Sequence, residues 1–266
     1  MKEIFIFLAV IVLLWVMWIA SGGPESEGAK KGPFLTPPTT SEQESNLYGK
    51  SDSNVFITNT TGAKEQNINN EYIEIVASRT NKNDVNISGW KLRNSVGKEI
   101  EIGSADKLAY VGILNDEENI LLSPGDRALI TTGSSPIGVS FQVNKCGGYL
   151  EQFQNFNPAL TQNCPYPADD AENKLADQSC VSYISTLPRC KTYTGQIPSG
   201  FSAECSDYIR NEINHNSCID IHKQDSDFYS SEWRIFLGTN NELWNNTSDL
   251  IRLYDASGRL VDSAAY

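Results

Sequence analysis

The sequence predicts a mainly β fold, a β-sandwich that is interrupted by a disulfide-linked α-helical insertion and preceded by an N-terminal transmembrane helix. Short runs of strand character, separated by turn residues, lie on both sides of a cysteine-bearing segment with helical spacing. Neither set of strands is numerous enough to close a sandwich alone, so we predict one β domain over residues 55–266 with an insertion at residues 146–230. The 39% hydrophobic and 10% aromatic content is sufficient to bury a core.

The membrane segment is predicted from residues 4–20, an uninterrupted apolar run near the lower limit for crossing a hydrocarbon core of ~30 Å. Lys2 precedes it and favours a cytoplasmic N-terminus. Residues 1–21 are therefore a signal anchor, or a cleaved signal peptide, since Ala20-Ser21-Gly22 resembles a cleavage site. Both alternatives place the remaining chain outside the cytoplasm, anchored to the cytoplasmic membrane or secreted.

Residues 22–54 are rich in Gly, Pro, Ser, Thr and Glu and contain few large apolar residues. Such a composition cannot form a packed core. We predict a flexible linker between the membrane segment and the β domain.

The β domain is predicted from alternating apolar residues bounded by turn residues. A bulge is expected at Ser88-Gly89, a hairpin at Pro124-Gly125 and a second hairpin after Tyr254. Strands are predicted at residues 55–58, 71–78, 85–93, 98–102, 119–123, 127–132, 233–237, 243–244, 250–254 and 259–263. The expected core residues include Tyr72, Ile73, Ile75, Trp90, Leu92, Ile251 and Leu253.

The insertion contains two predicted amphipathic helices, in which apolar residues recur at helical spacing after Cys180 and after Cys205. An even number of cysteines in an exported chain predicts disulfides. If the helices form an antiparallel hairpin, the start of one lies beside the end of the other. The predicted pairs are then Cys180–Cys218 and Cys190–Cys205, with Cys146–Cys164 across the preceding loop.

Four segments in order resemble the lamin tail domain family, and in particular its exported bacterial members. They are residues 70–75 (NEYIEI), 87–92 (ISGWKL), 122–130 (LSPGDRALI) and 243–255 with Gly258. The resemblance implies an immunoglobulin-like β-sandwich. The insertion, which the simple lamin tail lacks, is similar to cysteine-bearing inserts in some bacterial lamin-tail-like proteins.

Catalytic and metal-binding motifs are not found in a usable context, so we expect no enzymatic activity, no cofactor and no metal. His215, Cys218 and His222 are spaced closely enough for zinc, but a zinc site would remove one cysteine from an even set. The net charge of −12 disfavours nucleic acid as a partner.

The resulting functional prediction is a non-catalytic binding or structural module at the cell surface, with a protein or carbohydrate ligand. One alternative is an envelope-associated nucleic-acid-binding accessory, which the lamin-tail resemblance implies. A second alternative is a metal-dependent hydrolase centred on the insertion, using His215 and His222.

Overall fold

The computed structural model describes residues 54–112 and 116–266, together with Val12 and Val16. The described residues from Asn54 onward belong to one compact unit. The predicted membrane segment and linker lie almost entirely outside the described residues. Within the described part of the chain, no helix has the length and apolar character needed to cross a bilayer.

The described residues form a β-rich fold with a helical minority, as the sequence predicts. The strands are β1 (Val55–Asn59), β2 (Tyr72–Ala77), β3 (Val85–Asn86), β4 (Lys91–Arg93), β5 (Glu99–Glu101), β6 (Leu121–Leu122), β7 (Arg127–Thr131), β8 (Phe141–Asn144), β9 (Tyr229–Phe236), β10 (Leu250–Tyr254) and β11 (Leu260–Ala265). The helices are α1 (Pro167–Lys174), α2 (Gln178–Ile184), α3 (Ala203–Asn211) and α4 (His215–His222). Two 3-10 helices cover Thr61–Lys64 and Gly147–Gln152.

Two open sheets contain most of the strands. The larger has the order β1-β2-β7-β9-β8, and its only parallel pair in the described structure is β7 with β9. The smaller has the order β11-β10-β4-β5 and is antiparallel, while β3 and β6 form a separate pair. β9, which follows the insertion, therefore lies between β7 and β8, which precede it.

Both sheets contribute side chains to one hydrophobic core, because alternate residues of each strand point inward. Ile73, Ile75, Trp90, Leu92, Ile251 and Leu253 are all buried there. Tyr72 is not a core residue, contrary to the prediction, and is only half-buried. Its neighbour Ile73 points inward, so the Tyr72 ring lies on the opposite face, where it covers Gly62.

The predicted strand at residues 85–93 is two strands in different sheets. β3 pairs with β6, whereas β4 pairs with β5 and β10. The chain turns between them at Gly89, whose φ of +80° is the left-handed conformation that glycine tolerates best. The Ser88-Gly89 position therefore redirects the chain and is not a bulge within one strand.

The Pro124-Gly125 turn forms, with the Asp126 amide donating to the Ser123 carbonyl at 2.9 Å. It does not make the predicted hairpin. β6 pairs with β3, while β7 pairs with β2 and β9, so the turn connects two sheets. The hairpin between β10 and β11 is confirmed.

The predicted strand at residues 243–244 is absent from the described strands. The backbone amides of Leu243 and Trp244 donate to the buried Glu71 carboxylate at 3.0 and 3.1 Å. Because a side chain accepts these hydrogen bonds, no neighbouring strand is needed. β8, which the sequence analysis missed, forms an edge of the larger sheet.

Candidate binding pocket

The insertion is fixed by three disulfides that include all six cysteines. The bonds are Cys146–Cys218, Cys164–Cys190 and Cys180–Cys205. The predicted pairing is wrong at every bond.

The physical reason lies in the orientation of the helices. Cys180 and Cys205 each lie in the first turn of their helix, α2 and α3, and the bond between them joins two helix starts. The predicted pairing required the start of one helix beside the end of the other. Cys218 of α4 is instead bonded to Cys146, just after β8. This bond tethers α4 to the larger sheet.

Local sequence determines where the helices of the insertion begin. The Asp177 side chain accepts hydrogen bonds from the first amides of α2, and Ser202 does the same for α3. Asn214 caps α4 by accepting from the Ser217 amide at 3.0 Å. The Asn214 cap places the next two residues, His215 and Asn216, at the start of α4.

A cavity of about 220 Å³ lies where α4 meets the 3-10 helix after β8 and the backbone at Val111. Its apolar lining includes Val111, Ile137, Tyr149, Leu150 and Phe153. Phe153 is 63% exposed and Val111 is 43% exposed, so apolar surface continues from the cavity to solvent.

Asn216 connects α4 to the segment at Val111 through two hydrogen bonds. Its Oδ1 accepts from the Val111 amide at 3.0 Å, and its Nδ2 donates to the Val111 carbonyl at 2.9 Å. A backbone N–H can only donate and a carbonyl can only accept, so this pair of bonds fixes the orientation of the Asn216 amide.

His215 is 8% exposed and also lines the cavity. Its Nδ1 lies 3.3 Å from Asn216 Oδ1, which is an acceptor, so Nδ1 carries the proton of the neutral ring. Burial lowers the pKa of His215 to about 4, which keeps the ring neutral at pH 7. Nε2 is then a hydrogen-bond acceptor.

Tyr149 contributes a second titratable group to the lining. Burial raises the pKa of Tyr149 to about 12, so its hydroxyl is also neutral at pH 7. Both titratable side chains named in the lining are thus uncharged. The cavity suits an apolar group with few hydrogen-bonding atoms.

No protein-family model matches the chain, and no curated protein matches it. The lamin-tail resemblance remains a prediction from the four sequence segments.

The residues considered for zinc have other contacts. Cys218 is bonded to Cys146, and His222 lies between Asp170 at 3.2 Å and Asp225 at 2.9 Å. Among the described residues, no group of three or more His, Cys, Asp and Glu side chains is arranged to hold a metal ion. The structure gives the hydrolase alternative no metal centre within these residues.

From the sequence, His215 is considered only as a possible zinc ligand, and its neighbours in the pocket are not predicted. Val111, Phe153 and Asn216 are far apart in the sequence, and no motif connects them. The one local signal was Asn214, which is a favourable N-cap residue immediately before His215.

Proposed function

We propose that the protein is a non-catalytic binding module that holds an apolar side chain of a protein partner in the pocket at the start of α4. The observation that carries this proposal is the size and character of the cavity. At about 220 Å³ it is smaller than the ~300–1,000 Å³ of pockets that enclose drug-sized ligands. A single anchor side chain is the ligand that fits it best.

The surface around the cavity supports a protein ligand. Phe153 is largely exposed beside an apolar lining, and exposed aromatic side chains of this kind are enriched in protein interfaces. A saccharide would need several polar contacts, whereas the lining is mostly apolar. The net charge of −12 argues against the nucleic-acid alternative.

The three disulfides support a location outside the cytoplasm, because disulfides persist in oxidising compartments. Combined with the apolar run at residues 4–20, they favour a module that is anchored to the membrane or secreted, and that acts at the cell surface. For the fold, we propose a lamin-tail-type, immunoglobulin-like sandwich. The shared core of the two sheets supports this assignment.

The proposal is tested by titrating the full chain, in a mild neutral detergent, with blocked pentapeptides that differ only in one central apolar residue. We expect saturable binding of at least one peptide, measured by NMR shift perturbation. Phe153→Ala should weaken that binding about tenfold, since it removes a large exposed ring from the pocket.

The matched control is Phe56→Ala, which removes another exposed aromatic side chain, 48% accessible, from β1. Phe56 does not line the cavity, so this variant should bind as the wild type does. If no peptide binds saturably, or if the two variants lose affinity equally, the pocket is not the binding site and the proposal is wrong.

A further inference from the structure

The pocket contains an acceptor that its own walls do not satisfy. The two bonds between Asn216 and Val111 fix Asn216 Oδ1 as an acceptor, which places the His215 proton on Nδ1. Within the described residues, no group donates to His215 Nε2. The ring lines the cavity, and Nε2 is not among the fully buried side-chain atoms that lack a partner, so this atom is accessible to a ligand. A ligand that supplies a donor can hydrogen-bond Nε2 in place of water.

The remaining lining defines the rest of the ligand. Tyr149, Leu150 and Phe153 present apolar and aromatic surface around a volume that suits one side chain. Aromatic rings pack well against such a lining because they bury a large area in few rotamers. The two natural side chains that combine an aromatic body with a hydrogen-bond donor suited to an apolar site are tyrosine and tryptophan.

The charge of the chain indicates the sequence that presents this side chain. The protein has 33 acidic and 21 basic residues, and complementary charge increases the rate and specificity of association. A basic segment of a partner is therefore attracted to this protein, and an acidic segment is repelled.

We propose that the pocket selects a tyrosine or tryptophan side chain within a basic segment of the partner, through a hydrogen bond from that side chain to His215 Nε2. This inference rests on the proposed function and specifies the chemistry of its ligand. Phenylalanine fills nearly the same volume as tyrosine but leaves Nε2 without a donor.

The test uses two blocked peptides, with tyrosine or phenylalanine at the centre of four lysines, titrated into the full chain. We expect the tyrosine peptide to bind about tenfold more tightly than the phenylalanine peptide. His215→Phe should remove this preference, so that the two peptides bind with equal affinity. A structural role of His215 alone would reduce both affinities together and leave their ratio unchanged.

Two further measurements test the hydrogen bond to His215 Nε2 and the preference for a basic segment separately. The Nε2 resonance of His215 in the wild type should shift with the tyrosine peptide and not with the phenylalanine peptide, which tests the bond without any substitution. A tyrosine peptide flanked by glutamates should bind more weakly than the lysine version, and salt should reduce the difference.

The results separate the two proposals. Equal binding of the tyrosine and phenylalanine peptides would overturn the selection by His215 and leave the binding function intact. Binding of neither peptide would remove the proposed function as well. Equal binding of the lysine-flanked and glutamate-flanked peptides would overturn the preference for a basic segment.

Discussion

Replacing His215 with phenylalanine should change how the stability of the protein depends on pH. Burial lowers the pKa of His215 from its ordinary 6.5 to about 4 in the folded protein, while the unfolded chain regains the ordinary value. Between these values the unfolded state binds more protons than the folded state. The free energy of unfolding of the wild type therefore falls as the pH falls through this window.

The size of the effect follows from the two pKa values. At about 1.4 kcal/mol per pH unit, the interval from 6.5 to about 4 corresponds to a loss of about 3 kcal/mol between pH 7 and pH 4. The phenylalanine ring does not titrate, so His215→Phe escapes this loss. Relative to the wild type, the variant should gain about 3 kcal/mol over the same range.

The assay is denaturant unfolding followed by tryptophan fluorescence at several pH values, with the disulfides intact. The quantity to follow is the difference in the free energy of unfolding between variant and wild type. The carboxylates titrate in both proteins, so their contributions cancel in that difference. A stability difference that stays constant from pH 7 to pH 4 would refute the reasoning. His215 would then not be a buried, neutral ring.

Three other substitutions test the insertion and its attachment. Gly148→Ala should cost about 2 kcal/mol, because its Cβ would lie 2.5 Å from a disulfide sulfur, whereas Gly147→Ala should change stability by less than about 0.5 kcal/mol. Glu71→Ala should cost about 3 kcal/mol by leaving two buried amides without an acceptor. Replacing Cys146 and Cys218 together with serine opens a bond with a sequence separation of 72 residues; this should cost about 4 kcal/mol and weaken peptide binding to the pocket.

Each of these predictions has a control measured by the same unfolding or binding assay. Glu74 lies on β2, three residues after Glu71 and outside the core, and Glu74→Ala should change stability by less than about 0.5 kcal/mol. Replacing both Cys180 and Cys205 should cost stability without weakening peptide binding, since their bond joins α2 to α3 and neither helix contributes a residue to the cavity lining. Equal losses of binding in the two disulfide variants would show that the tether of α4 does not shape the pocket.

Much of the sheet structure could be predicted from the sequence, because period-two alternation directly encodes which face of a strand is buried. β2 is the clearest example, because its buried and half-buried residues alternate. β7 and β10 are buried at nearly every position and are predicted instead from strand-forming residues between turns. The strand at residues 85–93 could not be divided correctly from the pattern, because its apolar residues are compatible with one bulged strand. What divides it is the positive φ of Gly89, a backbone property that the pattern does not record.

The disulfides and the pocket depend on tertiary placement. The presence of disulfides could be predicted from the even number of cysteines and the predicted export of the chain, but the pairing depends on how the helices are oriented, which helical spacing does not specify. The pocket joins Val111, Phe153 and His215 from three separate segments. The acceptor character of His215 Nε2 follows from a tertiary contact: Asn216 bonds to Val111, and this fixes the His215 proton on Nδ1.

The position of β9 between β7 and β8 determines the order in which the larger sheet can be assembled. β7 and β8 are synthesised first, yet they are not neighbours, and the gap between them is filled only after the whole insertion has emerged. Because β7 and β9 are parallel, a tight turn cannot connect them and a long crossover is required. β8 lies within that crossover, and the cysteine-rich segment itself joins β8 to β9, which are antiparallel neighbours with Asn144 opposite Tyr229. The two ends of the segment are therefore adjacent, and a short hairpin loop in its place would still deliver β9 to the gap beside β7.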